Sequence, residues 1–211
     1  MASDTKGKLM NIVGAGENGN EIVGSPQKTE SCNIRFLGSR GKLIIHENVS
    51  LLTVNINVHD DAYIEIGSGS RYRGTLNVLT GCSVKIGKRL HCNSFLNISC
   101  AEETQVSIGD DCLISTAIIR PSDMHAIHDR TTGERINFGA DVAIGNNVWL
   151  AQEAMILKGV TIGDGCAIAA RAVVTKDIPA HSIAAGNPAR VVRENIVWGG
   201  DFPLRRPGLG G

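Results

Sequence analysis

Aliphatic residues recur at every sixth position in the C-terminal half of the chain. They are Ile144, Leu150, Ile156, Ile162, Ile168 and Val174. An α-helix would repeat about every 3.6 residues and a half-buried strand about every two. A period of six indicates instead a chain that turns a corner after each short strand and points one aliphatic side chain inward on each side.

Three such sides make a coil of about eighteen residues, and stacked coils make a parallel β-helix. The residues between the aliphatic positions suit corners. Gly and Asn at 145–147 and Gly and Asp at 163–165 tolerate unusual φ angles. Ala151, Ala169 and Ala170 are small enough for tight corners. We therefore predict an all-β fold.

The repeat is looser towards the N-terminus. Ile-Gly pairs recur at Ile66, Ile86 and Ile108, and residues 43–58 and 63–78 alternate apolar and polar side chains as strands do. We interpret these segments as irregular coils of one β-helix domain over residues 30–188. Residues 1–29 are predicted to be an N-terminal cap or flexible segment and residues 189–211 a C-terminal extension, with a disordered tail after residue 206.

Charge and cysteine usage narrow the classes of function. Lys plus Arg and Asp plus Glu both total 21, so the net charge is zero and indicates neither nucleic acid nor an anionic membrane as partner. No apolar run approaches the ~18 residues of a membrane span. The start, MASDTKGKLM, has no apolar signal region, so we expect a cytoplasmic protein. Six scattered cysteines without CxxC pairs predict reduced, packed thiols.

One segment interrupts the repeat. Residues 120–140 read RPSDMHAIHDRTTGERINFGA and cannot complete a regular coil, so we predict a loop that protrudes from the β-helix. The loop concentrates Asp123, His125, His128 and Asp129. Three interpretations compete: a metal site, a general base or a polar surface loop.

A family resemblance bears on this choice. Residues 144–198, with GNPARVVR and VTKDIP, resemble the hexapeptide-repeat acyltransferases. DMH, GERIN, IGNNVWL and the ending VVRENIVW are most similar to capsule and surface-polysaccharide O-acetyltransferases of bacteria, including those that act on sialic-acid polymers. Galactoside and maltose acetyltransferases share the later blocks. The resemblance implies a left-handed β-helix, acetyl-coenzyme A as cosubstrate, a glycan hydroxyl as acceptor, and a homotrimer with sites between subunits.

By the resemblance, His125 corresponds to the catalytic base. An imidazole titrates near neutral pH and can remove the proton of a sugar hydroxyl as it attacks a thioester. Asn97 would contact the acceptor or stabilise an oxyanion, or would be a turn or ladder residue. Trp149, at the last position of a hexad, should project outward and offer its indole N–H near His125, or would pack between subunits.

Two further loop residues are candidates for substrate binding. Asp123 could orient a histidine ring as a carboxylate does in a catalytic triad, or could cap a local turn. A backbone carbonyl could orient His125 instead. His128 could line the acceptor site or be a polar loop residue.

The resemblance also implies a coenzyme A site. Gln152 and Ala170 would line the groove for the pantetheine arm. The nucleotide end would lie towards Thr175, Lys176, Arg190 and Arg193, each of which could instead be a solvated surface residue. Arg171 stands where relatives often have Gly.

Several other functions remain open from the sequence. A galactoside- or maltose-type acetyltransferase shares the same blocks, and a non-enzymatic β-helix scaffold would share the repeat. A zinc hydratase would need His91, His125 and His128 to converge, and its spacing does not match closely; we expect no metal. Direct transfer requires no nucleophilic cysteine.

Overall fold

In the computed structural model, which describes residues 10–199, the chain is built from short strands with no helix in that range. The strands are β1 (Met10–Val13), β2 (Glu21–Val23), β3 (Lys28–Phe36), β4 (Lys42–Ile45), β5 (Ser50–Val58), β6 (Tyr63–Ile66), β7 (Arg71–Val78), β8 (Ser83–Ile86), β9 (His91–Cys100), β10 (Gln105–Ile108), β11 (Leu113–Arg120), β12 (Val142–Ile144), β13 (Trp149–Leu150), β14 (Ala154–Leu157), β15 (Thr161–Ile162), β16 (Ala167–Ile168), β17 (Val173–Val174), β18 (Ile183–Gly186) and β19 (Ala189–Arg193).

The strands form two sheets whose neighbours come from successive coils. One sheet runs β1-β3-β5-β7-β9-β11-β13-β16-β18-β19, with β14 and β17 attached through β11, and the other runs β15-β12-β10-β8-β6-β4-β2. Every pairing is parallel except that of β18 with β19. The all-β fold and the stacked coils predicted from the period of six are confirmed.

The length of a coil differs between the two halves. Cys32 pairs with Val54 and Asn55 pairs with Thr75, whereas Ala143 pairs with Thr161. The register thus advances by 22, 20 and 18 residues respectively. The register also shifts within some of the long strands, as between Ile114 and Thr116. The loose early repeat is therefore the same fold with longer coils.

The core lies along the axis of the coils. The six aliphatic residues that carry the hexad period are at most 3% exposed. Tyr72 is also fully buried, and its hydroxyl donates a hydrogen bond to the backbone oxygen of Leu96 at 2.7 Å. This bond satisfies the one polar group of a large ring inside the slim coil. All six cysteines are buried free thiols.

Two kinds of corner keep the coils close together. Asn147 and Arg171 have positive φ angles of 51° and 59°, the left-handed region that glycine and asparagine enter most easily. This geometry explains why Gly suits position 171. At Gly109 the reason is contact: an added Cβ would lie 2.6 Å from the backbone carbon of Gly145 in the next coil.

The ends of the β-helix differ from the predicted domain boundaries. β1 and β2 pair with β3 and β4, so the sheets begin by residue 10 and show no break at residues 29 and 30. At the other end, β18 and β19 form a hairpin across residues 188 and 189. Residues 1–9 and the tail after residue 206 lie outside the described residues. Within residues 10–199 no helix is long and apolar enough to cross a membrane.

Candidate functional site

The interrupting segment forms a small hairpin on the side of the coil. It leaves β11 at Arg120 and re-enters the second sheet at Val142. The amide of Ile136 donates to the backbone oxygen of Ile127 at 2.9 Å, and His128 and Arg135 form an antiparallel bridge. The protruding loop predicted from the lost period is therefore a folded hairpin.

Asn137 holds the histidine-bearing arm of the hairpin from inside. Its Nδ2 donates to the backbone oxygen of His125 at 2.8 Å and to the Asp123 carboxylate at 2.8 Å. Its Oδ1 accepts from the amide of Ile127 at 2.6 Å. Because the Asn137 side chain is only 8% exposed, these bonds are shielded from competing water. Asn137 thereby fixes the backbone on both sides of residue 126.

The Asp123 carboxylate is bonded to Asn137 and Lys158, two residues that hold the hairpin. The ammonium group of Lys158, just after β14, forms an ion pair with the Asp123 carboxylate. The hydrogen bond from Lys158, together with that from Asn137, lowers the pKa of Asp123 below its ordinary value. In residues 10–199 no hydrogen bond joins Asp123 to a histidine ring, so a triad-like role within one chain is not formed. Asn137, which also donates to Asp123, binds the backbone oxygen of His125 and not its ring.

Glu102 provides a second anchor at the base of the hairpin. Its carboxylate accepts from the Ser122 hydroxyl, from Arg135 at 2.6 Å and from the amide of Gly139 at 3.2 Å. These partners, the Ser122 hydroxyl first, lower the pKa of Glu102. The carboxylate thus stays ionised and ties both ends of the loop to the preceding coil.

The two loop histidines remain available to other molecules. Both side chains are exposed on the arm that Asn137 holds. His125 follows Met124, which has a positive φ of 64°, and so lies at a sharp turn of the backbone. An exposed imidazole on a fixed backbone can exchange a proton with a bound hydroxyl.

A groove runs along a different side of the coils. Trp149, on β13, has a ring that is 37% exposed, so it projects outward as its hexad position predicts. A cavity of about 480 Å³ beside it is lined by Gln152, Ala170 and mostly small residues. The remaining lining residues are Ser115, Ala151, Ala167, Ile168, Ala169 and Ile183. The small side chains leave the backbone accessible to a thin, extended ligand.

A second tryptophan, Trp198, lines the cavity next to this groove. The rings of Trp149 and Trp198 lie 6.1 Å apart between centroids, and Trp198 Nε1 donates to the backbone oxygen of Asn147 at 2.8 Å. Arg193 lines the adjoining cavity of about 450 Å³. Sequence reasoning did not assign Trp198 a role, although tryptophan occurs only twice in the chain.

The other residues expected at the nucleotide end are more scattered. Thr175 and Lys176 follow β17 and are exposed. Arg190 is exposed on β19 and donates to the backbone oxygen of Ala189 at 2.8 Å. In the described part of the chain none of the three lines either cavity beside Trp149.

Asn97 is half-buried on β9, and both of its alternative roles stay possible. Its Oδ1 accepts from the amide of Thr75 at 3.1 Å, as a ladder residue would. Within residues 10–199 its Nδ2 has no hydrogen-bond partner and can still donate.

The hairpin and the groove lie on different sides of the β-helix within one chain. Leu113 and Ile114 of β11 pair with β13, which carries Trp149. Residues 117–120 of the same strand pair with β14, and the hairpin leaves from that end. The contacts within a single chain therefore do not join His125 to the groove.

Possible metal ligands and cysteine thiols are the other reactive groups among the described residues. Among residues 10–199 no three His, Cys, Asp or Glu side chains are grouped so as to hold a metal ion. Burial raises the pKa of Cys92 and Cys112 to about 11 and that of Cys100 to about 12. Thiols of such pKa stay protonated at neutral pH and are poor nucleophiles.

Comparison with known sequences places these features in a family. The family pattern described as bacterial transferase hexapeptide (six repeats) matches residues 141–176. The polysialic acid O-acetyltransferase of Neisseria meningitidis is 34% identical over 87% of this chain and 77% of its own length. The galactoside O-acetyltransferase of Escherichia coli K12 is 32% identical over 74% of this chain and 77% of its own length.

The polysialic acid O-acetyltransferase of Escherichia coli O1:K1 is 34% identical over 64% of this chain, but the match spans only 44% of that protein. The solved structure of NeuO, a polySia-specific acetyltransferase, superposes with a TM-score of 0.82 at 32% identity. That superposition covers 90% of this chain and 82% of NeuO. It confirms the left-handed β-helix expected from the sequence.

Proposed function

The chain belongs to the hexapeptide-repeat acetyltransferases, and from this premise we propose that it transfers an acetyl group from acetyl-coenzyme A to a hydroxyl of a bacterial surface glycan. The names of two relatives, from Neisseria meningitidis and Escherichia coli, make polysialic acid the first acceptor to test. The proposal includes the cytoplasmic location expected from the sequence.

The groove beside Trp149 is the observation that carries the proposal. Gln152 and Ala170, both expected to line the groove for the pantetheine arm, line one cavity with Trp149. Its mostly small side chains leave room for a thin, extended arm. Arg193 lines the adjoining cavity, where a guanidinium can pair with phosphate.

His125 is the proposed general base. Its imidazole removes the proton of the glycan hydroxyl as the hydroxyl oxygen attacks the thioester carbonyl. The resulting oxyanion is stabilised by a donor such as Asn97 Nδ2. When the tetrahedral intermediate collapses, the carbon–sulfur bond breaks and the imidazolium returns its proton to the leaving thiolate. The acetyl ester and free coenzyme A are the products.

Assembly supplies the contact that one chain lacks. We propose a homotrimer in which the hairpin of one subunit reaches the groove of its neighbour. The separation of the hairpin and the groove on two sides of β11 supports this arrangement.

Turnover of a histidine variant tests the mechanism. Release of free thiol from acetyl-coenzyme A is followed with polysialic acid, galactosides and maltose as acceptors. His125→Ala should lower kcat by ~100-fold or more, because a general base contributes about that much. Circular dichroism and thermal unfolding establish that the variant is folded.

His46→Ala is the matched control. His46 is also a partly exposed histidine, but it lies after β4 on the other sheet and pairs with Glu65 at 2.8 Å. It should turn over at the wild-type rate. Wild-type turnover by His125→Ala would refute the base, and absence of thiol release with every acceptor would favour a scaffold. Stoichiometric zinc with carbon dioxide hydration would favour a hydratase.

A further inference from the structure

One face of the N-terminal coils carries a column of five polar side chains, four of which are asparagines. Strand register aligns one residue from each successive strand, and the aligned residues are Asn11, Asn33, Asn55, Thr75 and Asn97. Neighbouring strands lie about 4.8 Å apart, so the column is roughly 19 Å long. We call this surface the asparagine face.

A second column flanks the first on the same face. It contains Arg35, Asn57, Asn77 and Ser99. Neither column includes an acidic side chain, and Arg35 is exposed without an ion pair among residues 10–199. The asparagine face is therefore polar with a positive charge, although the whole chain is neutral.

The amides of this face are only partly used by one another. Asn33 Nδ2 lies 3.3 Å from Asn55 Oδ1, and Asn57 Nδ2 lies 3.4 Å from Asn77 Oδ1. Both distances exceed the usual range for N–H···O bonds. Most of the donor and acceptor capacity of the face is thus uncommitted.

The face is concave at its N-terminal end and leads to the proposed active site at the other. A cavity of about 260 Å³ is lined by Asn11, Asn33, Arg35 and Asn55. At the opposite end, Asn97 is followed in the next coil by Ile118 of β11, two residues before the hairpin leaves. A chain lying along the face would reach the hairpin that carries His125.

We propose that the asparagine face binds an extended segment of an anionic, polyhydroxylated glycan and guides it to His125. Primary amides donate to and accept from hydroxyls, and a guanidinium pairs with carboxylates. A linear polymer of acidic sugars matches both groups and the length of the column. This inference rests on the proposed glycan acetyltransferase function, and it adds where the acceptor binds outside the reacting sugar.

Binding and turnover are measured separately so that the two proposals can fail independently. Asn33→Asp with Asn55→Asp adds two negative charges to adjacent coils of the face. Binding to immobilised long polysialic acid should weaken by at least about tenfold, because like charges oppose each other at the contact. Neutral dextran serves as the polymer control. The KM for a short sialic-acid oligomer should not change.

The matched control adds the same charge elsewhere. Ser83→Asp with Gln105→Asp places two carboxylates on paired positions of β8 and β10, in the other sheet. It should bind polysialic acid as the wild type does.

Arg35→Gln is a milder second variant that keeps the face intact. It should weaken polysialic acid binding several-fold and reduce the dependence of that binding on salt concentration.

Each outcome decides one proposal. Wild-type binding by the double Asp variant, or no binding of the polymer by wild-type protein, would overturn the asparagine face. If light scattering shows that the double Asp variant dissociates, the face is an interface between copies of the chain. That result would also overturn the proposed glycan binding. Binding that is lost as expected, in a protein that acetylates no glycan, would uphold the face and refute the proposed function.

Discussion

Asn137 is the residue on which the geometry of the hairpin depends most. It contacts a carboxylate, a backbone oxygen and a backbone amide within residues 123–127. Removing this buried side chain leaves the His125 oxygen and the Ile127 amide without their partner, whereas Asp123 keeps Lys158. A buried polar group left unsatisfied costs ~1–3 kcal/mol. The cost falls on the loop, since the coils do not depend on these bonds.

We therefore expect Asn137→Ala to act on catalysis more than on folding. kcat should fall by ~10-fold or more, because a displaced base loses alignment with the hydroxyl. The midpoint of thermal unfolding should change by only a few degrees. Steady-state kinetics at saturating acetyl-coenzyme A, with the acceptor varied, would measure this effect.

Thr131→Ala is the control for this substitution. Thr131 lies at the exposed tip of the same hairpin, where its amide donates to Asp129 at 2.7 Å. A backbone donor survives the change to alanine, so kcat should stay at the wild-type value. Equal rates for Asn137→Ala and Thr131→Ala would show that Asn137 does not position His125.

The sequence indicated the loop histidines and Asp123 as candidate site residues, but it did not indicate which residues hold them in place. An imidazole or carboxylate is noticeable in a sequence because few residues titrate. An amide such as Asn137 is ordinary in a polar loop until the backbone groups that it meets are known. The pairing of Asp123 with Lys158 joins residues 35 positions apart, and no local pattern predicts it.

At the scale of the strands, close approach of successive coils explains the recurring Ile-Gly pairs. The isoleucine fills the core, and the glycine lets the corner touch the corner above it. A Cβ at Gly109 would meet the backbone carbonyl carbon of Gly145 at 2.6 Å, and a backbone atom cannot move aside as a flexible side chain can.

Gly109→Ala should accordingly destabilise the fold. Overpacking costs typically about 1–3 kcal/mol, so we expect a lower midpoint in urea unfolding and a smaller free energy of unfolding. Gly199→Ala is the control, because an added Cβ there has no atom within 4 Å. Indistinguishable unfolding curves for the two variants would contradict the proposed role of the coil contact.

The strands were predictable where the period was strict and less so elsewhere. From Ile144 to Val174 the six-residue spacing marks each inward side chain, and all six are buried. In the earlier coils the register advances by 20 to 22 residues instead of 18, so the six-residue period is lost. β1 and β2 were not predicted from the sequence, because their side chains are mostly exposed and show no apolar alternation.

At the scale of the whole molecule, the proposed active site needs two chains. His125 and the groove of Gln152 and Ala170 occupy different sides of one coil. We therefore expect the complete site to form between two subunits. Two inactive variants with damage on opposite sides can then complement each other in a mixed assembly.

Mixing His125→Ala with Ala170→Trp tests this arrangement. The first lacks the base, and the second fills the groove with a large ring, so each assembly alone should be inactive. Mixed trimers that carry both tags should recover about a third of wild-type activity, since one site in three would combine an intact loop with an intact groove. The subunits would carry different affinity tags and be co-expressed and purified together.

Light scattering of the same sample gives the number of subunits, for which we expect three. Mixed assemblies that stay inactive would place the base and groove within one chain. Wild-type protein that stays monomeric and active would refute the trimer.

The sequence by itself determined the period of six, and with it the stacked coils and the buried column of aliphatic residues. Such a period depends only on neighbours along the chain and on the need to bury apolar surface. It also located the break that carries His125. Only the tertiary structure decided how that break is held and which faces the side chains share. Lys158, Glu102 and Asn137 meet the hairpin through coil stacking, and the asparagine face arises because the strand register aligns residues some twenty positions apart.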